Sequence, residues 1–240
     1  MTDSVKAQAG VRQPAPRMAK PEVHAAAPAL GWYTDEVLFG ECWERSALCK
    51  RDRSLVTVAA LITSCYTAQM TGHFGRALTN GVRPAEIAET ITHLAFYAGW
   101  PCAMSAVAVM QQVFASNGVG LEQVSPTTSK DLPLSRPLTT QQARSVAPAL
   151  EEFSQRVLEE DLWQRTELAP RDRSLVTIVC LIVQSQTEQL TEQLQRGLAN
   201  GLTRVEIAET VTHLAFYAGW PRARAALPVL EAVFAQSGLA

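Results

Sequence analysis

The chain carries almost no excess charge. Its 21 Lys and Arg stand against 23 Asp and Glu, a formal net charge of −2, so the basic footprint that grips a nucleic-acid backbone is missing and nucleic acid is not an expected partner. No apolar run reaches the roughly 20 residues of a membrane-spanning helix, so no membrane association is expected. Residues 1–30 are rich in Ala, Pro, Lys and Arg and lack the apolar core of a secretory signal. The five cysteines (Cys42, Cys49, Cys65, Cys102 and Cys180) are odd in number and contain no CxxC pair. That pattern argues for reduced thiols in a cytoplasmic protein rather than a disulfide framework. A glycine-rich phosphate loop, a nucleophile elbow and HExxH are all absent, which removes the commonest nucleotide, serine-hydrolase and zinc-protease readings.

What is present is a duplication. The 240 residues, 47% of them hydrophobic, are enough to bury a sizeable core. Residues 37–120 return without a gap as 157–240. RDRSLVTVAALI (51–62) aligns with RDRSLVTIVCLI (171–182), and AEIAETITHLAFYAGWP (85–101) with VEIAETVTHLAFYAGWP (205–221). Trp43 falls on Trp163, Arg45 on Arg165, and Asn80-Gly81 on Asn200-Gly201. About half the paired positions are identical, far more than shared helical composition produces. The expected organisation is a flexible arm over 1–30, a first repeat over 31–120, a linker over 121–148 rich in Pro, Ser and Thr, and a second repeat over 149–240.

Within each repeat the apolar period is helical. Leu55, Val58, Ala59 and Ile62 recur at spacings of three and four, which predicts a first buried helix. A second is expected over Gln69–Thr79, stopping at Asn80-Gly81. A third starts at Pro84, a favoured first helical residue, and its copy begins with the capping box Thr203-x-x-Glu206. It ends at Gly99, and a fourth runs through Phe114. No segment alternates with a period of two, so the fold class is all-α, two tandem repeats related by a pseudo-twofold axis.

The third helix carries the most chemistry. At about 100° per residue, Ile87, Ile91, Leu94 and Ala98 form one stripe, while Glu86, Glu89, Thr90, His93 and Tyr97 form the opposite one. Such a polar stripe is ordinarily a solvated face. Yet Glu206, Glu209, Thr210, His213 and Tyr217 repeat it in full, whereas residues 83–85 and 203–205 have drifted apart. Retention between copies points to a pocket or a buried contact. The second helix adds His73, an acid–base candidate that becomes Gln193 in the second copy. Arg51-Asp52-Arg53 opens the first helix, either as a capping and salt-bridge cluster or with one arginine binding a substrate carboxylate. Trp100 is either packing or a wall of an apolar pocket. Glu89 and His93 share a helix face at i,i+4, but nothing else has metal-ligand spacing, so no metal is expected.

RDRSLVT, then HxxxAL-x-NG, then EIxExxxHLAFYAGWP together resemble the carboxymuconolactone decarboxylase family, over roughly 51–116 and 171–236. The resemblance implies an all-helical fold, a cofactor-free lyase, and a homotrimer with pseudo-hexameric geometry in place of the family's hexamer. It implies His73, His93, Glu86 and Glu89 as catalytic residues, with Glu206, Glu209 and His213 as their second-repeat equivalents. Arg53, Tyr97 and Trp100 would bind a small lactone or cyclic carboxylic acid of aromatic catabolism. The related alkylhydroperoxidase D proteins carry CxxCxxxH and a preceding glutamate. Aligned on His73, those positions here are Tyr66, Gln69 and Ser54, which leaves a thiol peroxidase cycle without its residues. A related cofactor-free isomerase, a redox protein lacking CxxC and a non-catalytic oligomeric binding protein stay open as alternatives.

Overall fold

The computed structural model describes residues 17–124 and 136–236; the remainder of the expected arm and linker, 1–16 and 125–135, lies outside the described residues. Two short helices, α1 (Pro21–Ala26) and α2 (Pro28–Trp32), come first. They are followed by a wide turn over Tyr33–Phe39, in which the Gly40 N–H donates to the carbonyl five residues back. The expected arm is therefore helical from Pro21. Asp35 ties it down, accepting hydrogen bonds from the backbone N–H groups of Met18 and Ala19, each at 2.7 Å, and pairing with His24 at 2.9 Å. These bonds hold the Asp35 carboxyl below its ordinary range, the Ala19 N–H contributing most.

The first repeat then supplies α3 (Lys50–Thr63), α4 (Thr67–Thr79), α5 (Pro84–Ala98) and α6 (Trp100–Ser116). Past the linker come α7 (Thr140–Ala143) and α8 (Pro148–Phe153), then α9 (Pro170–Val183), α10 (Thr187–Ala199), α11 (Arg204–Ala218) and α12 (Trp220–Gln236). No strand occurs among the described residues. The chain separates into a compact unit over Met1–Ser46 and another over Ala47–Ala240. Both four-helix sets thus fall within one unit.

The reason lies in α3 and α9. Every residue from Asp52 to Thr63 is buried, as is every residue from Asp172 to Val183, so these two helices are surrounded on all sides, their few polar side chains included. These two helices pack on each other and exchange partners: α3 packs on α11 of the second repeat, and α9 packs on α5 of the first. Each repeat closes its own core as well, with α4 on α6 and α10 on α12. The turns that set these crossings are local. Gly81 and Gly201 take φ of 90° and 98°, and Gly99 and Gly219 take 95° and 93°, a region that suits only glycine. The Asn80 and Asn200 amides each donate to a serine on the central helix, Ser54 and Ser174, at 2.9 Å.

Candidate functional site

The polar stripe of the third helix is buried, against its ordinary reading as a solvated face. Glu89 is 3% exposed, while Thr90 and His93 are fully enclosed; Glu209, Thr210 and His213 match them. What encloses the stripe is the central helix of the other repeat. Arg173 on α9 donates to Glu89 at 2.7 Å, and Arg53 on α3 donates to Glu209 at 2.7 Å. Both guanidinium groups are wholly buried. Charges so enclosed persist only where partners and hydrogen bonds compensate lost hydration. Glu89 meets this demand with a second arginine, Arg165, which donates to both its oxygens at 2.7 and 2.9 Å.

The histidines are fixed by the same crossing. Thr177 Oγ1 donates to the Arg173 carbonyl at 2.8 Å, which leaves its lone pairs to accept from His93 Nε2 at 2.7 Å. His93 therefore carries its proton on Nε2 and turns Nδ1 toward Arg173 Nη1, 3.4 Å away. Thr57, His213 and Arg53 repeat the arrangement at 2.8 and 3.4 Å. Burial pushes both imidazoles down to about 3, helped by Arg173 and Arg196 at His93 and by Arg53 and His73 at His213. Both rings are neutral at physiological pH, and both nitrogens are engaged. They are suited to positioning the arginines rather than exchanging protons with a substrate.

Tyrosines complete each cluster. Tyr97 stacks on His93 at 4.9 Å between ring centres, and Tyr217 stacks on His213 at the same distance. The Tyr97 hydroxyl accepts from the Trp163 indole at 2.9 Å, leaving its own O–H to donate, and burial raises its pKa. Arg196 lies over the Trp163 ring at 3.5 Å, a cation–π contact. The first cluster, then, is Glu89, His93, Tyr97, Arg165, Arg173, Thr177 and Trp163. The second contains Glu209, His213, Tyr217, Arg53 and Thr57.

His73 belongs to the second cluster. It meets Tyr217 edge-on, with ring centres 5.4 Å apart, so the expected grouping of His73 with His93 is corrected: each tyrosine neighbour belongs to a different cluster. The cause is the packing of α3 on α11, which brings α4, packed on α3, close enough for His73 to meet Tyr217. Burial, with Arg76, lowers His73 to about 4, and the ring is half-buried rather than enclosed. Arg53 joins His73 in this cluster, but its guanidinium is committed to Glu209 and faces His213, which corrects its expected role as a free anchor for a substrate carboxylate.

Three other expected site residues sit elsewhere. Glu86 closes a cap, accepting from the Arg83 N–H at 2.8 Å and from Arg51 at 2.8 Å. Burial works against ionisation, yet the Arg83 and Arg51 contacts outweigh it and the carboxyl lies below its ordinary value. Glu206 does the same with Thr203 and Arg171. Arg51 and Arg171 also cross between the repeats, to Asp172 and Asp52, both at 2.7 Å. Arg51 is thus a partly exposed salt-bridge residue, while Arg53, two residues on, makes its salt bridge in the core. Trp100 is 56% exposed and packs edge-on against Phe96. Gly99 turns the chain so that Trp100 opens a new helix facing outward, away from the walls of either cluster.

The expectation of reduced thiols is corrected at one pair. Cys65 and Cys102 form a disulfide, their Cα atoms 5.0 Å apart across 37 residues of sequence, while Cys42, Cys49 and Cys180 take no part in a disulfide. The spacing gave no hint because the two meet only when α4 packs on α6. Trp163, Arg165, Thr57 and Thr177 were the cluster members sequence reasoning missed. Retention of Trp43/Trp163 and Arg45/Arg165 between copies was the available signal.

Duplicated, all-helical and sealed by crossed Arg–Glu–His contacts, the molecule falls into a definite class. The family model for the carboxymuconolactone decarboxylase family matches residues 28–112 and again 148–232, and the chain belongs to that family. It is 35% identical over 86 residues to a 4-carboxymuconolactone decarboxylase of Acinetobacter baylyi, covering 36% of this chain and 64% of that protein. It is 32% identical over 111 residues to an uncharacterized 15.0 kDa protein of Paracoccus denitrificans, covering 39% of this chain and 83% of that protein. A nitrosuccinic acid decarboxylase of Metarhizium robertsii is 34% identical over 77 residues, 32% of this chain and 54% of that protein. The chain thus spans less than two thirds of the two decarboxylases it matches.

Proposed function

We propose that this protein is a cofactor-independent carboxy-lyase acting on a small lactone or cyclic carboxylic acid, with its chemistry at the His73–Tyr217 end of the second cluster. The observation that carries the reading is the position of His73. Of the three candidate histidines, His93 and His213 are enclosed and His73 is half-buried, and it stands against a tyrosine held by the enclosed His213–Arg53–Glu209 set. The two decarboxylases among the relatives support the reaction type.

Loss of CO2 from a carbon conjugated to a lactone carbonyl leaves a dienolate. That intermediate needs a hydrogen-bond donor at oxygen, a proton at carbon and a dry surround. His73 is neutral at physiological pH, being lowered to about 4, so it offers one N–H to the developing oxyanion. Its second nitrogen can collect a replacement proton as the first is given up. Tyr217 walls the site, and His213, Arg53 and Glu209 are positioning residues beneath it. His93 and Glu89 have the corresponding positioning role in the first cluster, where Gln193 stands in the sequence position of His73. The assembly is a homotrimer, and the setting is cytoplasmic catabolism of aromatic compounds.

The test is turnover of a panel of lactone acids followed by ultraviolet absorbance. His73→Gln, still folded, loses about 10²- to 10⁴-fold in kcat, the usual worth of a positioned acid–base group. Full turnover by that variant overturns the assignment.

A second reading rests on the complete enclosure of Glu89, His93, Glu209 and His213: a polar lock between repeats in a non-catalytic binding protein. Thermal-shift screening separates the two, because small carboxylates stabilise an enzyme of the proposed type and leave a mere lock unchanged.

A further inference from the structure

The Cys65–Cys102 disulfide lies outside both clusters, and the proposed chemistry has no use for it. Its surroundings can be compared with a copy that lacks it. Cys65 ends the turn between α3 and α4 with φ of 54°, and Ser185 ends the turn between α9 and α10 with φ of 61°. Cys102 is the third residue of α6, and Arg222 is the third residue of α12. Both turns close with matching hydrogen bonds: Tyr66 N to Leu61 O at 3.0 Å, and Gln186 N to Leu181 O at 2.8 Å. The second repeat therefore holds the same backbone with serine and arginine where the first has a covalent bridge. The fold does not need the bond to bring these segments together, so the bond can open while the helices stay packed.

Access and polarity favour one direction of opening. Cys65 is exposed, with exposed Tyr66 beside it, whereas Cys102 is half-buried. Cys102 sits in the first turn of the 17-residue helix α6, where unpaired backbone N–H groups and the helix dipole stabilise an anion and so a departing thiolate.

We propose that Cys65–Cys102 is a thiol–disulfide exchange site for small thiols, with Cys65 the attacked sulfur and Cys102 the leaving group. An external thiolate attacks Cys65 Sγ, the new bond being the mixed disulfide and the broken bond that to Cys102, which takes the electron pair as thiolate. A second thiol attacks the mixed disulfide, releasing the small-molecule disulfide and the Cys65 thiolate. Two thiols are oxidised, the protein bridge gains two electrons, and the two protons end on the cysteines. The reverse sequence, driven by a small-molecule disulfide, closes the bridge. This chemistry is independent of CxxC and of the decarboxylase reading.

The experiment uses the full chain under native conditions. The oxidised protein is titrated with reduced and oxidised glutathione, quenched with acid, alkylated, and analysed by intact mass and peptide mapping, with helix content followed by circular dichroism. The expected result is complete loss of the bridge with unchanged helix content, and a transient glutathione adduct on Cys65. The Cys65→Ser/Cys102→Ser double variant keeps the same helix content. Three results overturn the proposal: a bridge that opens only in denaturant, an adduct that forms first on Cys102, or a double variant that fails to fold. Free thiols at both positions under oxidising glutathione overturn it too.

Discussion

The two polar clusters are near copies in their depths and differ at their edges. Deep inside, each has a third-helix glutamate and histidine locked by an arginine and a threonine from the other repeat, with distances that agree within about 0.1 Å. At the edge, one has half-buried His73 against Tyr217 and the other has Gln193 at the matching sequence position. Selection on folding acts on both copies alike, because an enclosed charge without its partner is costly wherever it lies. On the proposed reading the chemistry needs only one acid–base group, and Gln193 is then tolerated at the position matching His73. The difference separates the enclosed residues that hold the two repeats together from the edge position where the copies diverge.

The largest test of the shared part is removal of an arginine. Arg53→Met and Arg173→Met should each cost about 3–5 kcal/mol in denaturant unfolding, the usual result of breaking a buried pair. Equal losses confirm that the two locks are mechanically equivalent; a much smaller loss at Arg173 shows that Arg165 alone can hold Glu89. Function should split the clusters where stability does not. Against the large drop expected for His73→Gln, Gln193→Ala should leave kcat within about twofold, well under the tenfold that 1.4 kcal/mol represents. Opening the Cys65–Cys102 bridge comes next, lowering stability by ~2–4 kcal/mol through the freer unfolded chain while Ser185→Ala in the matching turn changes little.

A smaller and graded effect is expected from pH. His93 and His213 titrate near 3 and His73 near 4 in the folded chain, below their ordinary 6.5. The unfolded chain therefore binds more protons in this window, and stability, full above about pH 6.5, falls as pH drops toward 3. Melting temperature followed between pH 7 and 4 checks the sign. His93→Asn and His213→Asn should flatten the slope equally, and unequal flattening would break the comparison. Least of all, Trp100→Ser and Trp220→Ser should each stay within about 0.5 kcal/mol as exposed changes, unless these faces are covered in the proposed trimer, when both rise together.

Much of this was legible before any coordinates. The duplication, the helical period, Pro84 and Gly99 at the ends of α5, and the Thr203–Glu206 cap are local signals, each readable within a few residues. The retained polar stripe was legible as a contact that matters. Its partners were not, because Arg173 lies 84 residues from Glu89 and Arg53 lies 156 from Glu209, and helical period carries no information at that range.

The sequence by itself determined that there are two equivalent helical sets, which faces of the third helix are constrained, and that His73 has no copy. Tertiary structure alone decided that each central helix packs on the third helix of both sets, that His73 sits in the cluster built on His213 rather than His93, and that Cys65 meets Cys102. The physical reason is the same in each case. Backbone conformation follows from neighbours along the chain, whereas burial, pairing of charges and the approach of two sulfurs depend on which helix packs against which.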